Sequence, residues 1–294
     1  MAQDELVVSP SAGGTRLDAW LAQALEVPRA RAAALIDASA VLVDGARRPK
    51  GHRLRGGERV AVHDLERRAQ PLPAPPELRI PWENDDLLVV DKPAGIVVHP
   101  APGHRGVTLV EALERSARGR WKPLAVHRLD RDTSGLMLVA KREEIRDELQ
   151  RLIRARRLLR EYLALAEGTL RSRSGMIEAP LGRAARDRTR MAVGGARPRE
   201  AVTHFEVERF LEGFTLVRVR LETGRTHQIR AHFAAIGHPL VGDRAYGGRP
   251  LEGLQRQFLH SARLTFTYSG YPGPIEERSP LPADLTEALR RAGR

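Results

Sequence analysis

The chain has 294 residues, enough for about two domains, and its 49 Lys and Arg against 37 Asp and Glu give a net charge of +12. A basic chain favours a polyanionic partner, with nucleic acid ahead of a membrane surface. Because cysteine is absent, disulfides, thiol catalysis and cysteine-based zinc sites are excluded. The N-terminus does not have the pattern of a signal peptide, and no apolar run reaches membrane-spanning length, so we expect a cytoplasmic protein.

Residues 15–64 form the first predicted domain. Leucines and a tryptophan recur at helical spacing from Leu17 to Leu25, and a second short helix is predicted around Leu35. Val41–Val43 and Val60–Val62 follow as short strands. A helix pair followed by a small sheet resembles the S4-type RNA-binding domain.

The resemblance implies that Arg29 and Arg31, near the start of the second helix, contact an RNA phosphate. Two positions depart from the family pattern, since Ser39 stands where glycine is usual and Asp44 where asparagine is usual. The alternative is a small docking domain with no nucleic-acid role.

A proline-rich linker is predicted at 65–81, followed by a second domain at 82–294. This domain begins with a buried strand at Asp86–Val90, a turn, and a second strand at Ile96–Val98. Lys92 in the turn is either an RNA contact or an ordinary turn residue. A helix is predicted from Thr108 to Ser116, with Thr108 as its N-cap.

The stretch 125–135, AVHRLDRDTSG, is the densest polar cluster of the chain, and it leads into an apolar strand. Asp130 lies between Arg128 and Arg131, and nearby cations favour the ionised carboxylate that a nucleophile requires. From the spacing alone, a turn with solvated arginines is the preferred interpretation, because turns rich in Asp, Ser, Thr and Gly are common.

The next predicted elements are a charged helix at 142–159 and a strand at 162–166, which contains Tyr162. An arginine-rich loop follows, which is either an arm for phosphates or a solvated loop. Its arginines are Arg183, Arg186, Arg188, Arg190, Arg197 and Arg199. Alternating residues then predict an antiparallel strand pair at 202–207 and 214–221.

In the string LETGRTHQIRAHFAAIGHPLVGDRAYGG, Gly224 is predicted to end a strand and Arg225 to open a helix. Ile229, Phe233 and Ile236 would form the buried face of that helix. The histidines of this string do not share one helical face and have no companion carboxylate at a suitable offset, so no metal site is predicted.

HRLDRDTSG resembles the signature loop of the RluA-type pseudouridine synthases. DDLLVVDKPAGIVVHP and the string that contains GRTHQ resemble that family's first and later motifs, in the same order, between about 86 and 282. The resemblance implies that Asp130 is the catalytic residue, that Arg225 pairs with it, and that Tyr162 contacts the target base. It also implies an α+β fold, with the S4-like module, the linker and a mostly antiparallel mixed sheet flanked by helices.

The predicted function is isomerisation of uridine to pseudouridine in RNA, with large-subunit ribosomal RNA as the expected substrate. No cofactor is predicted, because nucleotide-binding loops are absent from the sequence and the reaction needs no external group. The alternatives are a nucleic-acid glycosidase that uses Asp130 and a non-catalytic RNA-binding or ribosome-assembly factor. A monomer is expected. The predicted RNA contacts are Arg29, Arg31, Arg128, Arg131, Arg188 and Arg190.

Overall fold

The structure is a computed structural model that describes residues 3–27, 29–63, 77–100 and 106–293. These residues fall into two compact units. The first has the described residues up to 63, with 100 and 106–107, and the second has 77–99 and 108–293. None of the described helices is both long and apolar enough to cross a membrane.

The first unit packs two helices, α1 (Leu17–Ala24) and α2 (Arg29–Asp37), on a small antiparallel sheet. The sheet has the order β1 (Gln3–Val7), β3 (Arg59–His63), β2 (Val41–Val43). The predicted helix pair and small sheet are therefore confirmed, whereas β1 was not predicted.

Ser39 and Asp44 have positive φ angles of 58° and 48°. Left-handed backbone is the reason that such positions favour glycine or asparagine. Asp44 stabilises its turn because its Oδ1 accepts the Arg59 N–H at 2.9 Å. Both departures from the family pattern therefore adopt the left-handed conformation, and the Asp44 side chain also supports its turn.

In the part of the chain that the structure describes, the second unit has a ten-stranded sheet in the order β4-β5-β7-β15-β8-β14-β13-β9, with β6 beside β7 and β16 beside β15. The pair β7–β15 is parallel and the other pairs of this sheet are antiparallel. The bounds are β4 Arg79–Glu83, β5 Leu87–Lys92, β6 Leu124–Ala125, β7 Ser134–Ala140, β8 Leu159–Glu167, β9 Ser174–Glu178, β13 Val202–Leu211, β14 Phe214–Leu221, β15 Leu259–Phe266 and β16 Ile275–Arg278.

A separate three-stranded sheet contains much of the arginine-rich segment, with β10 (Leu181–Arg183) between β11 (Met191–Val193) and β12 (Ala196–Arg199). The large sheet is flanked by α3 (Leu109–Ala117), α4 (Glu143–Arg154), α5 (Gln228–Ala235) and α6 (Ala283–Ala292). The predicted α+β class and the mostly antiparallel sheet are confirmed.

Thr108 is the N-cap of α3, and Glu111 completes a capping box with it, as predicted for the cap. Helix α4 ends earlier than predicted because Arg156 is left-handed, with a φ of 59°, and the Arg157 N–H donates to the Leu152 carbonyl. Helix α5 starts at Gln228 rather than at Arg225, after a left-handed His227. Ile236, predicted as buried, is 40% exposed.

The strand predicted at Ile96–Val98 was wrong. The carbonyls of Val97 and Val98 accept the N–H groups of Leu109 and Val110 at the start of α3, so this segment uses its hydrogen bonds there and not in a ladder. Ile96 and Val98 are still buried in the core of the unit.

Residue 64, the end of the first predicted domain, and residues 65–76 of the predicted linker lie outside the described residues, and 79–81 belong to β4. The two central strands β7 and β8 are buried along most of their length. They support the loop that carries Asp130.

Candidate active site

The loop 125–135 enters β7 at a point where only glycine fits. Gly135 has a φ of 109°, and a Cβ there would lie 2.2 Å from the Ser261 carbonyl oxygen on β15. Next to it, Ser134 Oγ and His260 Nδ1 share a hydrogen bond of 2.9 Å. Because the exit of the loop is fixed by the parallel pair β7–β15, the position of Asp130 is fixed as well.

The Asp130 side chain is 15% exposed and faces α5. Arg230 Nη1 donates to Asp130 Oδ2 at 3.3 Å, and His227 Nε2 lies 4.0 Å from the same oxygen. The loop bends back on itself here, since the Thr133 N–H donates to the Asp130 carbonyl. Asp130 is therefore a partly covered carboxylate with one guanidinium on it.

Arg230 is held by a second carboxylate. Its Nε and Nη2 donate to Asp243 at 2.6 and 2.8 Å, and both side chains are buried. Burial acts to lower the pKa of Arg230, but contact with Asp243 and Asp130 outweighs it and raises that pKa, so the residue stays a cation. The two hydrogen bonds to Asp243 orient the guanidinium so that its Nη1 points toward Asp130.

Tyr246 packs beside this pair and extends it toward the small sheet. Its ring lies 5.0 Å from the Arg230 guanidinium and 4.8 Å from that of Arg190. Its hydroxyl accepts the Met191 N–H at 2.9 Å and lies 3.0 Å from His227 Nδ1. Burial lowers the pKa of His227, which favours a neutral ring between Tyr246 and Asp130.

Lys92 is fully buried and is neither an RNA contact nor an ordinary turn residue. Its Nζ donates to the carbonyls of Pro93, Ile96 and Arg131 at 2.9, 3.0 and 3.0 Å. The Gly95 N–H donates to the same Arg131 carbonyl. Lys92 thus ties the turn after β5 to the residue that follows Asp130.

A cleft of about 260 Å³ lies over Asp130. This volume is at the small end for ligand pockets, so the cleft suits one nucleoside rather than a duplex. Tyr162 on β8 lines it and is 4% exposed, and burial raises the pKa of its hydroxyl. The structure therefore brings together Asp130, Tyr162 and Arg225, the three predicted catalytic residues, in one cleft.

The predicted pairing of Arg225 with Asp130 is not what the structure has. Arg225 lines the cleft, but its Nε donates to the Glu200 carbonyl at 2.8 Å, and Arg230 occupies the place at Asp130. The reason is the later start of α5: Arg225 precedes the helix, whereas Arg230 is within it.

The arginines next to Asp130 in sequence do not pair with it either. Arg131 donates to Asp132, at 3.0 to 3.2 Å, and Arg128 is exposed at the cleft. The cation on Asp130 therefore comes from another element, Arg230 on α5.

The other predicted RNA contacts are spread over both units. Arg190 reaches the site through Tyr246, and Arg188 is exposed with its carbonyl accepting from Arg183 Nη1 at 3.0 Å. In the first unit, Arg29 donates to the buried Asp18 at 3.1 to 3.2 Å. Arg31 is exposed on α2.

Sequence reasoning missed Arg230, Asp243, His227 and Tyr246 as members of the site. Two signals were available. Arg230 lies between the apolar residues Ile229 and Phe233 of a helix, and the polar residues Asp243 and Tyr246 lie in the final part of the same string. A charged side chain within an apolar face is rarely buried without a partner.

Comparisons with known proteins agree with this geometry. The model of the RNA pseudouridylate synthase family matches residues 86–235, and that of the S4 domain matches residues 15–60. The chain belongs to the RNA pseudouridylate synthase family. Both matches confirm the resemblances seen in the motifs.

Among its relatives, a ribosomal large subunit pseudouridine synthase D of Xanthomonas campestris is 41% identical over 97% of this chain and 91% of the relative. An uncharacterized RNA pseudouridine synthase of Bacillus subtilis, YlyB, is 37% identical over 98% of each chain. The solved structure of human RNA pseudouridylate synthase domain containing 1 has a TM-score of 0.59 and 28% identity, and covers 72% of this chain and 87% of that one. The chain is thus an RNA-modifying isomerase, as predicted.

Proposed function

We propose that this pseudouridine synthase acts on large-subunit ribosomal RNA, with Asp130 as its catalytic carboxylate. The observation that carries the assignment of Asp130 is its position: a partly covered carboxylate, held by Arg230, at the cleft that Tyr162 lines. Support for the substrate comes from the name of the Xanthomonas relative. A ribosomal substrate is also consistent with the predicted cytoplasmic location.

In this reaction the bond between N1 of uracil and C1′ of ribose breaks, and a bond between C5 and C1′ forms. The proton on C5 is lost and N1 gains one, so the composition does not change. A carboxylate can take part by attacking and later leaving, because a covalent step divides one difficult displacement into two. The small cleft requires that the uridine be unpaired or flipped out of a helix.

Each site residue then has a role. Arg230 orients Asp130, Tyr162 packs against the uracil, and Arg225 forms the cleft wall on the side of Glu200. We propose RNA contacts for six arginines of the two units, of which all but the partly buried Arg190 are exposed. They are Arg29, Arg31, Arg128, Arg131, Arg188 and Arg190. The division into 15–64, 65–81 and 82–294 stays our proposal for the domain boundaries.

The experiment compares Asp130→Asn with Asp132→Asn, a matched change two residues away in the same loop. We expect Asp130→Asn to lower turnover by at least about 10³-fold while RNA affinity changes little, because the nucleophile is lost and the size is kept. Asp132→Asn should retain most of its turnover. The readout is pseudouridine formed in transcribed ribosomal RNA.

Three outcomes would contradict the proposal. Free uracil as the product would indicate a glycosidase, and RNA binding without any product would indicate a non-catalytic factor. The loss of pseudouridine from another RNA class alone, in cells that lack the gene, would refute the ribosomal substrate.

A further inference from the structure

One arginine of the cleft has no partner for most of its donors among the described residues. Arg160 on β8 is 3% exposed and lines the same cleft as Asp130. Its Nε and Nη2 are buried and have no hydrogen-bond partner in the described part of the chain. Buried guanidinium groups are almost always paired, because removing their charge from water is costly.

His127 supplies another unpartnered donor in the same cleft. The Leu138 N–H donates to His127 Nε2 at 3.2 Å, so the proton of the neutral ring lies on Nδ1. Nδ1 is buried and has no partner among the described residues. Burial, with Arg160 nearby, lowers the pKa of His127 to about 3, so the ring is neutral at physiological pH.

The charges around Arg160 favour an anion. Asp130 is the only carboxylate among the described residues that line the cleft, and it is already held by Arg230. Arg128, Arg154 and Arg225 line the same cleft. The N–H groups of Arg160 and His127 lack acceptors, and Arg160 is also a buried cation. A ligand with several acceptor oxygens and a negative charge would satisfy both.

Gly224 shows how closely Arg160 is fitted. A Cβ added at Gly224 would lie 2.6 Å from Arg160 Nη1. A side chain at this position would therefore displace the guanidinium, so the glycine leaves room for Arg160 at the cleft wall.

We propose that Arg160 and His127 bind a phosphate group of the RNA substrate next to the flipped nucleotide. The identification of RNA as the source of that phosphate rests on the proposed function, whereas free phosphate shares the same chemistry. The negative charge compensates Arg160, and the phosphate oxygens accept from Arg160 Nε, Arg160 Nη2 and His127 Nδ1. The part of the cleft that Arg160 lines is thus completed by the substrate.

The first test uses the full chain and inorganic phosphate. In ¹H–¹⁵N spectra, the Nε–H signal that disappears in Arg160→Met is assigned to Arg160. We expect phosphate, but not chloride at equal ionic strength or the neutral nucleoside uridine, to shift this signal. Arg160→Met should weaken phosphate binding by about tenfold or more, the range for a charged hydrogen bond, whereas Arg157→Met, at an exposed arginine that does not line the cleft, should not.

Stability gives an independent readout. Because Arg160→Met removes a buried unpaired cation and keeps much of its volume, we expect its melting temperature in chloride to equal or exceed that of the wild type. Phosphate should raise the melting temperature of the wild type and not that of the variant. Should Arg160→Met fold poorly, which would itself contradict the expectation, Gly224→Ala offers a second way to displace the guanidinium.

A third experiment uses a short RNA substrate in which one phosphate at a time is replaced by a neutral methylphosphonate. One such replacement should weaken binding to the wild type by about tenfold and have little further effect on Arg160→Met. The proposal would be overturned if Arg160→Met still bound phosphate as the wild type does. It would also be overturned if the Arg160 Nε–H signal shifted with uridine but not with phosphate. Since the readout is binding, these results stand apart from whether pseudouridine is formed.

Discussion

Arg230 and Arg160 line the same cleft and are almost equally buried, at 8% and 3% exposure, yet only Arg230 has carboxylate partners. Arg230 is complete within the protein, with Asp243 on one side and Asp130 on the other. Arg160 has buried donors without acceptors in the described part of the chain. The cleft is therefore organised around Arg230 before RNA arrives, whereas the buried donors of Arg160 need a ligand to be satisfied.

The largest effects on stability and turnover are expected when the paired arginine, Arg230, is replaced. Arg230→Met leaves Asp243 buried without its partner, which should cost about 3–5 kcal/mol of unfolding free energy, and it should lower turnover by about 10²-fold or more. The double variant Arg230→Met/Asp243→Leu should recover most of the stability, since both charges are gone, but not the turnover. Denaturant unfolding and single-turnover assays measure the two effects separately.

If the double variant regained turnover together with stability, Arg230 would serve only to neutralise Asp243. Arg230→Lys is the matched control, because it keeps the charge but loses the two-point geometry. We expect its turnover to stay low.

The sequence predicted what is encoded locally. Thr108 as a cap and the strand after the signature loop follow from neighbouring residues, whereas the importance of Asp130, which lies at the cleft, was implied by the family resemblance. The cation on Asp130 followed from neither, because Arg230 is 100 residues away in sequence and reaches it only through the packing of α5. Sequence proximity suggested Arg128 and Arg131 instead.

Arg160 was missed for a related reason. In the sequence, Arg160 is a polar residue that shortly precedes the strand aromatic Tyr162, and this pattern is typical of a half-buried strand. That it is buried follows from its position on a central strand of the sheet, between β15 and β14. Whether a charge is paired is a property of tertiary contacts, which periodicity does not encode.

At Tyr162, which lines the same cleft as the two arginines, ring packing can be separated from the chemistry of the hydroxyl. Tyr162→Phe keeps the ring and should lower turnover less than about tenfold if the hydroxyl is dispensable. Tyr162→Ala removes a buried ring and should lower turnover by about 10²-fold and cost roughly 3–5 kcal/mol of stability. Turnover at saturating RNA, measured below the melting temperature of each variant, makes the comparison. Equal, mild losses of turnover would indicate an ordinary core aromatic.

Lys92 tests whether a buried cation can be satisfied by carbonyls alone. Burial lowers its pKa to about 7, although Asp132 and Asp130 act to raise it, whereas the three carbonyl acceptors suit an ammonium with three donors. With a folded pKa below the unfolded value of about 10.5, the unfolded state binds more protons between pH 7 and 10.5, so stability should rise with pH. From pH 7 to 9 this gain is about 2 kcal/mol.

Lys92→Met lacks this titration, so the difference in unfolding free energy between wild type and variant should change by that amount over the same pH range. A constant difference would mean that the carbonyls keep Lys92 protonated to high pH. In that case three carbonyl contacts would be enough to stabilise a buried cation, and the cost assigned to Arg160 would come from its missing acceptors rather than from burial.

The smallest expected effect is at Arg29, which extends the comparison to an exposed arginine that is paired. The buried Asp18 accepts from both Arg16 and Arg29, whose side chains are 44% and 57% exposed. Arg29→Gln should weaken the protection of α1 amides from hydrogen exchange by up to about 1 kcal/mol, because Arg16 remains on Asp18. The double variant Arg16→Gln/Arg29→Gln should lose more than the sum of the two, since Asp18 is then buried without a cation. If Arg29 also contacts an RNA phosphate, as proposed, Arg29→Gln should make the slope of log affinity against log salt shallower by about 0.7–0.9. An unchanged slope would show that Arg29 only stabilises the fold through Asp18 and would remove it from the proposed RNA contacts.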